Sequence, residues 1–163
     1  MDTLYDEDFV LWTERQAESL RLAARQGSNL PLDWENLAEE IESVGKRDRR
    51  EVESLVLNIL VHLVKLAHSP AQRPRRGWLN EVKEARRRLT RILQDSPSLN
   101  AKLPEIVAGQ QPVAAEDVRD ALRKHGEAPG AIRGMLAAIT PERVLDPEWQ
   151  PPEPSGRGAG RAG

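Results

Sequence analysis

The chain contains no cysteine, which excludes disulfides, thiolate zinc sites, iron–sulfur clusters and a thiol nucleophile. Three histidines leave few ligands for any metal. Aromatic residues are scarce, with one Tyr, one Phe and four Trp. Period-two alternation of β-branched residues is absent, so nothing in the sequence argues for a sheet. No apolar run is long enough to cross a bilayer. The most apolar stretch, residues 55–67, is thirteen residues long and is interrupted by Asn58, His62 and Lys65, where about 20 apolar residues are needed. Residues 1–8 are acidic and lack the basic region of a secretory leader, so a soluble cytoplasmic protein is expected. Neither sign of charge dominates: 24 bases stand against 26 acids. Walker A, G-x-S-x-G, G-x-G-x-x-G and H-E-x-x-H patterns are missing, as is the Glu-x-x-His pair of di-metal bundles. No cofactor and no metal centre is expected.

What remains is a charged chain with helical periodicity almost throughout. Its 163 residues, 39% of them apolar, suit one domain with a real core. The expected fold is all-α, a helical bundle around one long central helix at about 33–68. A single helical domain would cover 1–150. Residues 151–163, rich in Pro, Gly and Arg, read as a disordered tail.

The first helix is predicted over about 6–26, with Gly27-Ser28-Asn29 as its stop. Asp33 suits the N-cap of the second. From there Leu37, Ile41, Val44, Val52, Leu55, Ile59, Leu63 and Leu66 repeat in steps of three, four or sums of these. The phase survives Gly45, which favours one continuous helix over two helices broken at that glycine. Residues 55–67 are apolar nearly all round, the mark of a buried segment. A third helix follows over 78–94. Ser96-Pro97 then reads as an N-cap followed by a first-turn proline. The fourth helix carries Leu99, Leu103, Ile106 and Val107, with Pro104 a kink or early break. A turn at 109–112, a fifth helix over 114–125 and a short helix over 132–139 complete the pattern. Thr140-Pro141 repeats the cap-then-proline signal. Trp12, Trp34 and Trp78 are the expected large core anchors.

Two clusters could carry function. If the central helix is unbroken, Glu40, Asp48, Glu51 and His62 fall on or beside its apolar face. Burying such groups costs several kcal/mol unless they are paired, and Arg86 on the third helix is placed to reach across. The plainer reading is a buried ion-pair network that fixes helix register. The sharper one is a binding cleft of Glu40, Asp48, His62, Lys65 and Arg86, or an enzyme or metal site centred on Glu40, His62 and Arg86. The second cluster is basic. Between residues 73 and 91 eight bases face two acids. Lys83, Arg87 and Arg91 recur every four residues, a repulsive spacing. A nucleic-acid phosphate track of Arg73, Arg75, Arg76, Lys83, Arg87 and Arg91 would account for it. So would the acidic 33–42 segment of a second copy.

Asp8-Phe9 with Trp12, the run Asn36-Leu37-Ala38-Glu39-Glu40-Ile41-Glu42-Ser43-Val44-Gly45, and Arg49-Arg50 form a recognisable combination. It continues through His62-Leu63-Val64-Lys65, Trp78, Arg86-Arg87, Asp95-Ser96-Pro97-Ser98-Leu99 and Leu145-Asp146-Pro147-Glu148-Trp149. Together these resemble the bacterial domain-of-unknown-function family 29 over roughly residues 5–150. The resemblance implies a small all-helical protein and brings no established activity. It directs attention to Glu40, His62, Lys65, Trp78 and Arg86. A suggested association of some members with toxin–antitoxin-type gene pairs implies a regulatory partner role. Residues 101–139 depart from the family pattern at Pro104, Pro112, Pro129 and Gly130, which puts the family's long fourth helix in question here. The expected function is a non-enzymatic interaction module, with a protein partner or a second copy as its target and nucleic acid as the alternative.

Overall fold

The computed structural model describes residues 3–126 and 131–154. Seven helices occur among them and no strand: α1 (Leu4–Glu7), α2 (Phe9–Arg25), α3 (Trp34–His68), α4 (Arg75–Asp95), α5 (Pro97–Lys124), α6 (Ile132–Ala138) and α7 (Pro141–Leu145). The all-α class follows from the sequence, and α3 is the long helix expected at 33–68. The chain packs as two compact units, each built from two separate stretches. The first comprises residues 1–54 and 90–103, the second 55–89 and 104–163.

In the first unit, the predicted helix at 6–26 is split at Asp8. This residue takes an extended conformation (φ −155°, ψ 92°), and its side chain accepts from Leu11 N–H. The split is a cap. Asp8 is buried, and its carboxylate also accepts Ser98 N–H at 2.6 Å and Ser98 Oγ–H at 2.8 Å. Ser98 lies in the first turn of α5, so one carboxylate serves the exposed N–H groups of two helices. Ser96 reciprocates, its Oγ accepting Val10 N–H in the first turn of α2 at 3.2 Å. The far end of α2 stops as predicted, with Gly27 at φ +74°.

Asp33 caps α3 as expected, accepting Asn36 N–H at 3.4 Å and Asn36 Nδ2–H at 2.6 Å. Gly45 does not break the helix. A Cβ at this buried position would overlap Thr13 Oγ1 and lie 3.7 Å from Val10 Cγ1. The glycine lets α2 approach the backbone of α3, with the Thr13 hydroxyl lying against Gly45 and donating to Val10 O at 2.7 Å. On the next turns Arg21 bridges Glu35 (3.3 Å) and Glu42 (3.0 Å), and Lys46 joins Glu42 at 3.1 Å.

The second unit holds the most apolar part of α3. Val56, Ile59, Leu60, Leu63, Val64 and Leu66 are all essentially inaccessible, and Leu89 on α4, Val118 on α5 and Ile139 just after α6 match them. Each such side chain contributes roughly 1.5–3 kcal/mol on burial. The expected tryptophan anchors are only half-buried: Trp12, Trp34 and Trp78 all keep solvent contact. Aliphatic side chains fill the interior, and Trp12 belongs instead to a ring cluster with Tyr5 and Phe9.

The turn expected at 109–112 is absent. α5 runs unbroken through Pro104 and Pro112. Each proline forfeits a backbone donor and costs a helix interior about 3 kcal/mol. Both lie exposed, eight residues apart, where water can serve the freed carbonyls. On the opposite face Leu103, Ile106, Val107, Ala114, Ala115, Val118 and Leu122 are buried, and this outweighs the local preference.

The predicted cap-then-proline start at 140 opens α7, with Thr140 accepting Arg143 N–H. The expected tail divides. Pro151 is buried and Glu153 pairs with Arg75 at 3.4 Å. Residues 155–163 lie outside the described residues.

Candidate functional site

Arg86, the expected partner of helix-borne carboxylates, binds backbone instead. It is buried on α4, and its three nitrogens donate to Arg143 O (2.8 Å), Val144 O (2.9 Å) and Trp149 O (3.1 Å). Two of these belong to the last turn of α7, whose carbonyls have no intrahelical partner. Burial pushes the guanidinium's pKa down, and Asp146 opposes that shift. Arg143 completes the arrangement, donating to Ala138 O at 2.6 Å and lying 5.1 Å from the Trp149 ring centre. Arg86 thus ties residues 143–149 to α4. The Leu145–Trp149 motif is the segment it holds.

His62 and Lys65 stand one turn apart on α3. His62 Nδ1 lies 2.9 Å from Asn58 O. A carbonyl can only accept, so Nδ1 carries the proton and Nε2 is left as an acceptor. Burial pushes the imidazole's pKa below its usual value and the Lys65 charge adds to this, while the Asn58 carbonyl and Glu81 oppose it. Burial thus favours the neutral imidazole.

Lys65 faces a cavity of about 470 Å³ that sequence reasoning did not foresee. Trp78, Leu122, Ala121, Ala71 and Pro74 form its apolar walls, and Ser69 and His125 contribute polar atoms. Ser69 Oγ accepts Ala71 N–H at 3.2 Å, which holds the turn after α3. Trp78 was legible as a feature of this region through the family resemblance. His125 carried no signal, because it reaches the cavity only when α5 continues past Pro112.

Glu40 and Asp48 belong to the first unit. Glu40 is exposed, one helical turn beyond Leu37. Leu37 was expected in the buried stripe, yet it is 39% exposed while its neighbour Ala38 is fully buried. The inward face of this part of α3 is that of Ala38 and Gly45, where α2 comes too close for a large side chain. Leu22 and Leu32 are 47% exposed and Leu30 61%. The Arg21–Glu35 ion pair joins the end of α2 to the start of α3, and these leucines lie on those two ends or on the chain between them. Asp33, Glu39 and Glu40 are exposed beside them, and no base occurs between residues 29 and 40. Asp48 is half-buried, and its pKa is pushed up by burial first and then by Glu51 and Asp95.

The basic segment is divided in role. Arg75 donates to Leu66 O at 2.9 Å, capping the C-terminal turn of α3. Arg87 pairs with Glu84 at 2.9 Å. Arg73, Arg76, Lys83 and Arg91 are exposed.

Among the described residues no group of three or more His, Asp or Glu could hold a metal. Among these residues no helix is long and apolar enough to cross a membrane. The fold and its surfaces define an all-helical protein with recessed and exposed apolar sites bordered by charge. The chain belongs to the family described as domain of unknown function DUF29, whose profile matches residues 4–150. Among solved structures it is similar to an α-helical protein of unknown function from Rhodospirillum rubrum ATCC 11170. The two share 29% identity and a TM-score of 0.75, over 88% of this chain and 90% of that one. No curated protein matches the chain significantly.

Proposed function

We propose that the protein is a non-enzymatic interaction module, a regulatory or antitoxin-like partner in the bacterial cytoplasm, that docks a basic amphipathic protein on its α2–α3 turn. The observation that carries this reading is the group of exposed leucines at Leu22, Leu30, Leu32 and Leu37, bordered by Asp33, Glu39 and Glu40. Clustered apolar surface on a soluble chain marks interaction sites. A rim of acids selects for lysine or arginine around the partner's apolar anchors and speeds encounter at low salt.

Calorimetric titration with a synthetic Leu/Lys amphipathic helix tests it. Binding should weaken as salt rises, fall about tenfold in Glu39→Lys/Glu40→Lys, and disappear in Leu30→Ser/Leu37→Ser while the melting temperature holds. Affinity untouched by the leucine substitutions would overturn the reading. Concentration-dependent self-association abolished by Leu30→Ser would replace the partner with a second copy. An electrophoretic shift of nucleic acid abolished by Arg76→Glu/Arg87→Glu would replace it with the phosphate-track reading.

A further inference from the structure

The Lys65 cavity belongs to the second unit and is independent of the leucine surface in the first. At about 470 Å³ it falls within the size range of small-molecule sites, roughly 300–1,000 Å³. Its composition is lopsided. Five of the eight lining residues are apolar, one of them the Trp78 indole, and the ionisable members are Lys65 and His125. No carboxylate lines it among the described residues. Among the described residues no ion pair of Lys65 is seen, although acids are common elsewhere in the chain.

A cation facing apolar walls is matched by a ligand that carries a negative charge at one end and an apolar body at the other. A neutral ligand of the same shape would leave the ammonium without a counter-charge. A polyanion would place charge against Leu122, Ala121 and Pro74. The flat face of Trp78 favours a planar body. We infer that this cavity is a binding site for a small organic monocarboxylate with a planar apolar body, its carboxylate on Lys65 and its ring against Trp78.

The inference is tested with indole-3-acetate and its uncharged analogue indole-3-acetamide, titrated calorimetrically into the full chain. The carboxylate should bind at least about tenfold more tightly than the amide, as expected for one charge-assisted contact. Lys65→Met keeps the apolar stem and should erase that preference without changing amide binding, and Lys65→Arg should restore it. Trp78→Leu should weaken both probes alike. Melting curves of each variant separate loss of the site from loss of the fold. Equal affinity for the two probes would overturn the inference, as would a carboxylate affinity unchanged by Lys65→Met. Absence of binding at millimolar indole-3-acetate, or binding only of peptides through their C-terminal carboxylate, would also overturn it.

Discussion

The two units hold their chain segments by opposite means. In the first, the buried Asp8 carboxylate serves the N-terminal turns of α2 and α5. In the second, the Arg86 and Arg75 guanidiniums serve the C-terminal turns of α7 and α3. Each charge matches the sign of the helix end it meets, since the macrodipole favours anions at N-termini and cations at C-termini. The difference is one of geometry. A carboxylate accepts from several directions, whereas Arg86 depends on a planar fork that reaches three carbonyls at once. The first device should tolerate conservative change and the second should not.

The largest expected effect follows from removing the fork. Arg86→Met leaves one buried and two part-buried carbonyls without this donor and should cost about 2–4 kcal/mol. It should appear as a lower melting temperature and as early proteolysis between residues 139 and 150. Arg86→Lys should recover little of this although it keeps the charge. A lysine variant as stable as the parent would show that charge, and not the fork, holds residues 143–149.

Asp8→Ala comes next, at about 2–3 kcal/mol for the loss of a shared cap. Asp8→Asn, which keeps one acceptor oxygen, should cost clearly less by chemical denaturation. A double-mutant cycle with Ser98→Ala should show non-additivity, because both substitutions remove the same bond. Additive losses would mean that the two caps act separately.

Gly45→Ala probes the contact between α2 and α3. Alanine gains helix propensity but overlaps Thr13, and the net loss should be about 1–2 kcal/mol. Thr13→Ala in the same chain should return most of it.

The smallest effects are pH-dependent, and they carry opposite signs in the two units. His62 and His68 in the second unit both have pKa values lowered by burial. The unfolded chain binds more protons than the native one, so their contribution is lost as pH falls through and below the unfolded value of roughly 6.5. His62→Gln should flatten the stability profile over that range. Asp48 in the first unit has a raised pKa. The native state then binds the extra proton, and stability rises as pH drops through its folded value. Asp48→Asn should raise the melting temperature by a few degrees at pH 7 and by nothing in acid.

What the sequence made legible was local. Asp33, Ser96-Pro97 and Thr140-Pro141 announce helix starts through residues within one turn of each other, and each start lies where they place it. Continuity through Gly45 was legible from the unbroken phase of the apolar stripe, although the reason for a glycine there was not, because Thr13 lies on another helix. α5 was misread because Pro104 and Pro112 are strong local signals overruled by a buried face. Leu37 was misread for the converse reason: its periodicity is right for the stripe, yet it stays 39% exposed. Asp8 fell inside the predicted first helix, and only its contact with Ser98 makes it a cap for two helices. Of the candidate site residues, Arg86 was expected to reach carboxylates and instead meets backbone carbonyls. Backbone carbonyls leave no trace in a sequence pattern.

Asp8 and Ser98 stand ninety residues apart along the chain. A growing polypeptide cannot close that contact until residue 98 has left the ribosome, and the opening stretch of the second unit is synthesised between the two parts of the first. Neither unit can therefore be completed before the other has begun, and a nascent chain stalled anywhere before residue 98 carries α2 with its starting turn unfinished. Assembly must wait for distant segments to meet, the kind of topology that slows folding.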